Sequence, residues 1–223
     1  MNDFKTAWRR APVTVSLVVI MVIVYAIETM VSRQIDVLTP ALYKMGALFT
    51  PAVILFGQWW RLLTAGFLHV TLMHLILNMI TLYYLGRLLE QYFGSVKFSV
   101  SYLLALLTGS LTSLAFGDVN AISAGASGAI FGLFGMIFVL GILDKGGYWL
   151  EQAKTLLIFV ILSLIPVFFG SNIAITAHIG GVVSGFLLTP ILLKGHATNK
   201  QILVGTLVWI IYIGVLFMKI FNR

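Results

Sequence analysis

Apolar residues gather in seven long runs, at about residues 13–31, 69–89, 97–116, 127–143, 154–169, 174–193 and 202–220, with shorter polar segments between them. A helix needs roughly 20 mostly apolar residues to cross a bilayer, so the pattern predicts seven transmembrane helices in an all-α polytopic membrane protein. The first run follows Lys5, Arg9 and Arg10. It is longer than the apolar core of a secretory signal, about 7–15 residues, and is expected to be a retained span. Residues 32–67 are interrupted by Pro40 and Pro51 yet carry Leu48, Phe49, Ile54, Leu55, Phe56, Trp59 and Trp60. Paired tryptophans favour the headgroup level, so this stretch is expected to be a partly embedded loop with short helices. With no repeat or internal boundary, residues 1–223 are expected to form one membrane domain: a six-helix core at about 12–195 and an extra span at about 201–220.

Composition strengthens this picture. The 223 residues are 60% hydrophobic and 9% charged, and the mean hydropathy is +1.05. Soluble domains run at about 45–50% apolar and about 25% charged, so a soluble globular domain is excluded. The absence of cysteine excludes disulfides and thiolate chemistry. The net charge of +7 comes from 14 basic residues scattered between the apolar runs. Such scatter sets topology rather than forming a nucleic-acid face. Seven alternating spans place Lys5, Arg9, Arg10, Arg87, Lys97, Lys145, Lys154, Lys194 and Lys200 on one side, and Arg33, Lys44, Arg61, Lys219 and Arg223 on the other. The richer side is expected to be cytoplasmic, with the N-terminus inside and the long loop outside.

Polar side chains within spans are costly, and they normally face the bundle interior or a water-filled cavity. Three clusters stand out: His69, His74 and Asn78 in the second run; Gly125-Ala126-Ser127-Gly128 entering the fourth; Ala177-His178-Ile179-Gly180-Gly181 in the sixth. His74 and Asn78, four apart, share a helical face. All three clusters lie in the first halves of spans running in the same direction, so they share one depth. A serine opening a helix sits beside unpaired backbone N–H groups and the positive end of the helix dipole, where an oxyanion is stabilised. His178 is the candidate base, with His74 and Asn78 as candidate donors to the oxyanion. Gly128-x3-Gly132 and Gly181-x3-Gly185 are small-residue patterns that allow the two helices to approach closely.

Together, Trp60-Arg61, His69-x4-His74-x3-Asn78, Gly125-Ala126-Ser127-Gly128 and Ala177-His178-x2-Gly181 resemble the rhomboid intramembrane serine proteases, in that family's order. The resemblance implies a six-helix rhomboid-like core followed by a seventh span. It also implies a Ser/His dyad of Ser127 and His178 and an oxyanion hole from His74, Asn78 and the Ser127 N–H. No cofactor or metal is implied. His69, Trp60 and Arg61 are implied to shape the first loop. Phe131 takes the place of the aromatic ring that the family commonly stacks on the histidine. None of the seven acids, among them Glu28 and Glu90, lies in the middle of a span. Glu90 and Arg87 are expected to be solvated or to bond a loop.

Other chemistries fit poorly. A zinc site calls for ligands spaced as in His-Glu-x2-His, and the x4 spacing of His69 and His74 does not match it. An aspartyl protease needs two carboxylates within spans, and Asp118 stands alone in a loop. The expected function is therefore a serine endopeptidase that cuts transmembrane protein substrates near the outer face of a membrane, most simply a bacterial plasma membrane. The alternative is a non-catalytic relative that binds or escorts transmembrane segments. The oligomeric state is open.

Overall fold

The computed structural model describes residues 8–144, 147–168, 175–193 and 198–222, and within these all side chains except those of 158–159 and 161–168. Helix α1, Pro12–Ser32, opens on a proline whose missing N–H costs nothing in a first turn. The buried Glu90 carboxylate caps that turn. It accepts from Val13 N (3.0 Å), Thr14 N (2.8 Å) and Thr14 Oγ1 (2.7 Å), and also from Ser95 Oγ (2.7 Å). Glu90 is thus a buried clamp on three helices, and the solvated placement expected from sequence is corrected.

The stretch between the first two spans folds into α2, Thr39–Met45, a two-residue strand β1, Leu48–Phe49, then α3, Thr50–Phe56, and α4, Arg61–Thr64. Pro40 and Pro51 each sit in the first turn of their short helix rather than breaking one. Helix α5, Leu72–Phe93, begins three residues later than the apolar run. The Thr71 side chain accepts from His74 N and defines that start, so His69 lies in the preceding turn and not on the span.

Helices α6, Ser95–Phe116, and α7, Ser127–Leu143, are joined through the strand β2, Ile122–Ser123, which pairs antiparallel with β1 in the register Leu48 to Ser123 and Phe49 to Ile122. Helix α8, Tyr148–Phe168, starts earlier than the fifth apolar run, and residue 169 lies outside the described residues. The order closes with α9, Ile175–Leu192, and α10, Asn199–Phe221. Five described helices, α1, α5, α6, α9 and α10, are long and apolar enough to cross a membrane, and α7 is a shorter apolar helix.

The chain is an all-α polytopic membrane protein. Its apolar residues confirm this from the outside: Val22, Ile23, Leu207 and Ile211 are exposed on α1 and α10, where a lipid-facing surface takes the place of a polar one. The buried core joins Leu82, Leu85, Phe98, Tyr102, Leu133 and Met136 from α5, α6 and α7.

Helix α10 packs on α6 and α9. Tyr212 shares a 2.8 Å hydrogen bond with Thr112. Leu216 and Ile220 are buried with Leu48, Val53 and Leu62 of the first loop. Trp59 rests on Phe217 and Phe221 at the end of α10, at centroid distances of 6.4 and 6.2 Å.

Candidate active site

Ser127 is the first residue of α7, directly after Ala126, so its Oγ stands at the end of the helix where backbone N–H groups have no intrahelical partner. His178 lies in the first turn of α9, and its Nε2 is 2.9 Å from Ser127 Oγ. The two helices can place these residues so close because no side chain separates them. A Cβ on Gly181 would collide with the Gly128 carbonyl, and one on Gly185 with the Gly132 carbonyl. The small-x3-small spacing thus acts as expected.

The His178 ring is buried, and its Nδ1 has no hydrogen-bond partner among the described residues. Its orientation comes from packing. Phe131, one turn after Ser127, lies parallel to the imidazole with centroids 4.0 Å apart and 4° between the planes.

His74 reaches the same point from α5. At Gly125 the backbone has φ +137, and a Cβ there would stand 2.7 Å from His74 Cε1, 2.9 Å from Nε2 and 3.7 Å from Ser127 Oγ. Only a glycine lets the imidazole lie over this backbone beside the serine. Asn78, one turn further along α5, is buried, and its amide Nδ2 has no partner among the described residues. The structure therefore brings Ser127, His178 and His74 into one place and leaves a buried amide donor one turn below.

His69 does not share the helical face of His74. From the turn before α5 its ring meets the His74 ring edge-on, at 5.2 Å and 62°. Burial, with His74 as neighbour, holds the His69 imidazole down at about 3 against the opposing pull of the Phe67 carbonyl, so it is neutral.

Arg61 behaves as expected of a loop-shaping residue. It is buried, and it donates to the Tyr43 (2.9 Å) and Ala47 (2.8 Å) carbonyls and to Gln58 Oε1 (2.6 Å). Its guanidinium also lies over the rings of Tyr43 and Trp60. That loop touches the site through the backbone bond from Gly125 N to Ala65 O, 2.9 Å long, and through the β1–β2 pair just before it. A cavity of about 30 Å³ opens beside Ser127, lined in part by Leu48, Gly66, Leu106, Ser113 and Ala124. It is roomy enough for a water-sized group and is open at one side.

Sequence reasoning passed over Glu28, a fully buried carboxylate in α1 whose two oxygens each lie 3.2 Å from His69 N. The signal was present, because an acid inside an apolar run is expensive and marks a partnered interior position.

A family model described as Rhomboid domain matches residues 56–195. The chain is similar to the rhomboid protease GluP of Bacillus subtilis, 35% identical over 72% of this chain and 32% of that protein. It is similar to RHOMBOID-like protein 1 of Arabidopsis thaliana, 39% identical over 66% of this chain and 38% of the relative. The putative rhomboid protease YdcA of Bacillus subtilis is 31% identical over 60% of this chain and 67% of its own length. The alignments thus span about a third of the length of the first two relatives.

Proposed function

The chain belongs to the rhomboid family, whose members are in general intramembrane serine proteases, and on that premise we propose that it is an active endopeptidase cutting transmembrane protein substrates with a Ser127/His178 dyad. The observation that carries the reading is the 2.9 Å contact between Ser127 Oγ and His178 Nε2 at the start of α7. A serine hydroxyl becomes nucleophilic when a base within hydrogen-bond reach takes its proton, and the imidazole stands at that distance.

His178 accepts the Ser127 proton as Oγ adds to the scissile carbonyl. The oxyanion is stabilised by the unpaired backbone N–H of Ser127, by His74 and by the Asn78 amide. His178 then returns the proton to the departing amine, leaving an acyl-enzyme on Ser127. Water then adds to the acyl carbonyl as His178 takes its proton, and His178 passes that proton to Ser127 Oγ as the acyl–oxygen bond breaks, which frees the new carboxyl end and restores the serine. The imidazole is held by the Phe131 ring rather than by an acid, which suits an environment where a buried carboxylate is expensive.

The substrate segment has to unwind near the cut, because a regular helix hides its carbonyls in intrahelical bonds. By resemblance to the family, small or helix-breaking residues near the cut are the expected preference. By the distribution of basic residues the N-terminus is cytoplasmic and the cut lies toward the outer face.

The test is labelling of the purified protein in detergent with a fluorophosphonate serine probe. Wild type is expected to label, and Ser127→Ala and His178→Ala are not. An unlabelled but folded wild type would favour the escort reading, in which the same scaffold binds transmembrane segments without cutting them.

A further inference from the structure

Glu28 is the one charged side chain in the sequence of α1, and it is fully buried. No cation pairs with it among the described residues. A buried carboxyl in that position adds little to stability compared with an apolar side chain, so its contacts define its purpose. Both its oxygens approach the same group, the backbone N–H of His69, at 3.2 Å.

His69 sits at a junction. The next residue, Val70, offers its carbonyl to Val37 N at 2.8 Å, and Thr71 then caps α5. The turn is therefore pinned to the α1–α2 connection on one side and to α5 on the other. The Glu28 bond fixes the residue whose ring stands edge-on behind His74. His74 in turn lies against Gly125 and Ser127.

We propose that Glu28 is a positioning residue for the oxyanion side of the site: by holding the His69 backbone it sets the ring that backs His74, and so fixes where His74 points. The proposal rests on the reading that His74 donates to the oxyanion. It assigns α1, which contributes no reacting atom, a direct part in the geometry of the site. Among the described residues Glu28 meets an amide and no cation, so it works there as a hydrogen-bond acceptor rather than as half of an ion pair.

The experiment is a double-mutant cycle on the rate constant for fluorophosphonate labelling of Ser127, using the full-length protein in detergent. His74→Ala is expected to slow labelling about 10²-fold, the usual loss for one oxyanion donor. Glu28→Met is expected to slow it about tenfold in the wild-type background and less than about twofold when His74 is already alanine. Glu28→Gln, which keeps an acceptor oxygen at the same reach, is expected to recover most of the lost rate. Glu28→Asp, too short to reach His69, serves as the second probe if the methionine variant does not fold.

An equal slowing by Glu28→Met in both backgrounds would overturn the proposal, since a general structural defect adds to the loss of His74. A glutamine variant as slow as the methionine one would overturn it too. If His74→Ala labels at the wild-type rate, the oxyanion assignment fails instead. If Ser127→Ala still labels, the protease reading itself fails, and the two failures stay distinct.

Discussion

The Phe131 ring lies flat on the His178 imidazole, 4.0 Å away and 4° from parallel. An offset or stacked ring pair contributes about 0.5–1.5 kcal/mol beyond burial, and here it also limits rotation of the base. Phe131→Ala is expected to lower kcat about tenfold while leaving KM within about twofold, because the lost interaction orients the reacting group rather than binding substrate. Phe131→Tyr is expected to keep most of the activity. Steady-state cleavage of a transmembrane substrate checks both.

Asn78 carries a buried amide with no hydrogen-bond partner among the described residues, in a helix that also holds His74. A donor left free in the ground state and engaged only by the oxyanion acts on kcat. Asn78→Ala is expected to lower kcat about 10²-fold, with little change in melting temperature. An unchanged kcat would remove Asn78 from the oxyanion hole.

Gly181 and Gly128 predict opposite outcomes. A Cβ on Gly181 runs into the Gly128 carbonyl, whereas a Cβ on Gly128 meets Ala177 at an ordinary 3.6–3.7 Å. Overpacking against backbone is expected to make Gly181→Ala cost about 1–3 kcal/mol of stability. Gly128→Ala is expected to cost less than about 1 kcal/mol of stability. Thermal unfolding in detergent distinguishes them.

Glu90 accepts four hydrogen bonds within the buried junction of α1, α5 and α6. Glu90→Ala strands two backbone N–H groups and two hydroxyls, and is expected to destabilise by about 3 kcal/mol or more. Glu90→Gln retains one acceptor oxygen and is expected to lose less. The measurement is the shift in melting temperature, compared with Ser95→Ala, which removes a single bond.

Much of the site was legible because its residues announce themselves by expense. Histidines, an asparagine and a serine inside apolar runs are costly unless they do something, and their spacing along three runs of like direction by itself points to one depth. What stayed hidden were relationships between elements. Thr71 sits within the same apolar run as His69, and only its bond to His74 N reveals that the helix starts there. Glu90 reads as an end-of-helix acid until α1 folds back onto it. Nothing in the neighbourhood of Trp59 announces its packing on Phe217 and Phe221. The Thr71 cap is local, three residues from His74, but a lone threonine inside an apolar run is a weak start signal; Glu90 and Trp59 meet partners tens of residues or more away, where local pattern carries no information.

The contact between Trp59 and the end of α10 also has a temporal side. Residues 217 and 221 are synthesised after every helix that bears a site residue, so the first loop lacks its packing on Leu216, Phe217 and Ile220 until the last described helix has entered the membrane. A nascent chain that already displays Ser127, His178, His74 and Asn78 is therefore not yet in its finished arrangement. Maturation of the first loop waits on the insertion of α10.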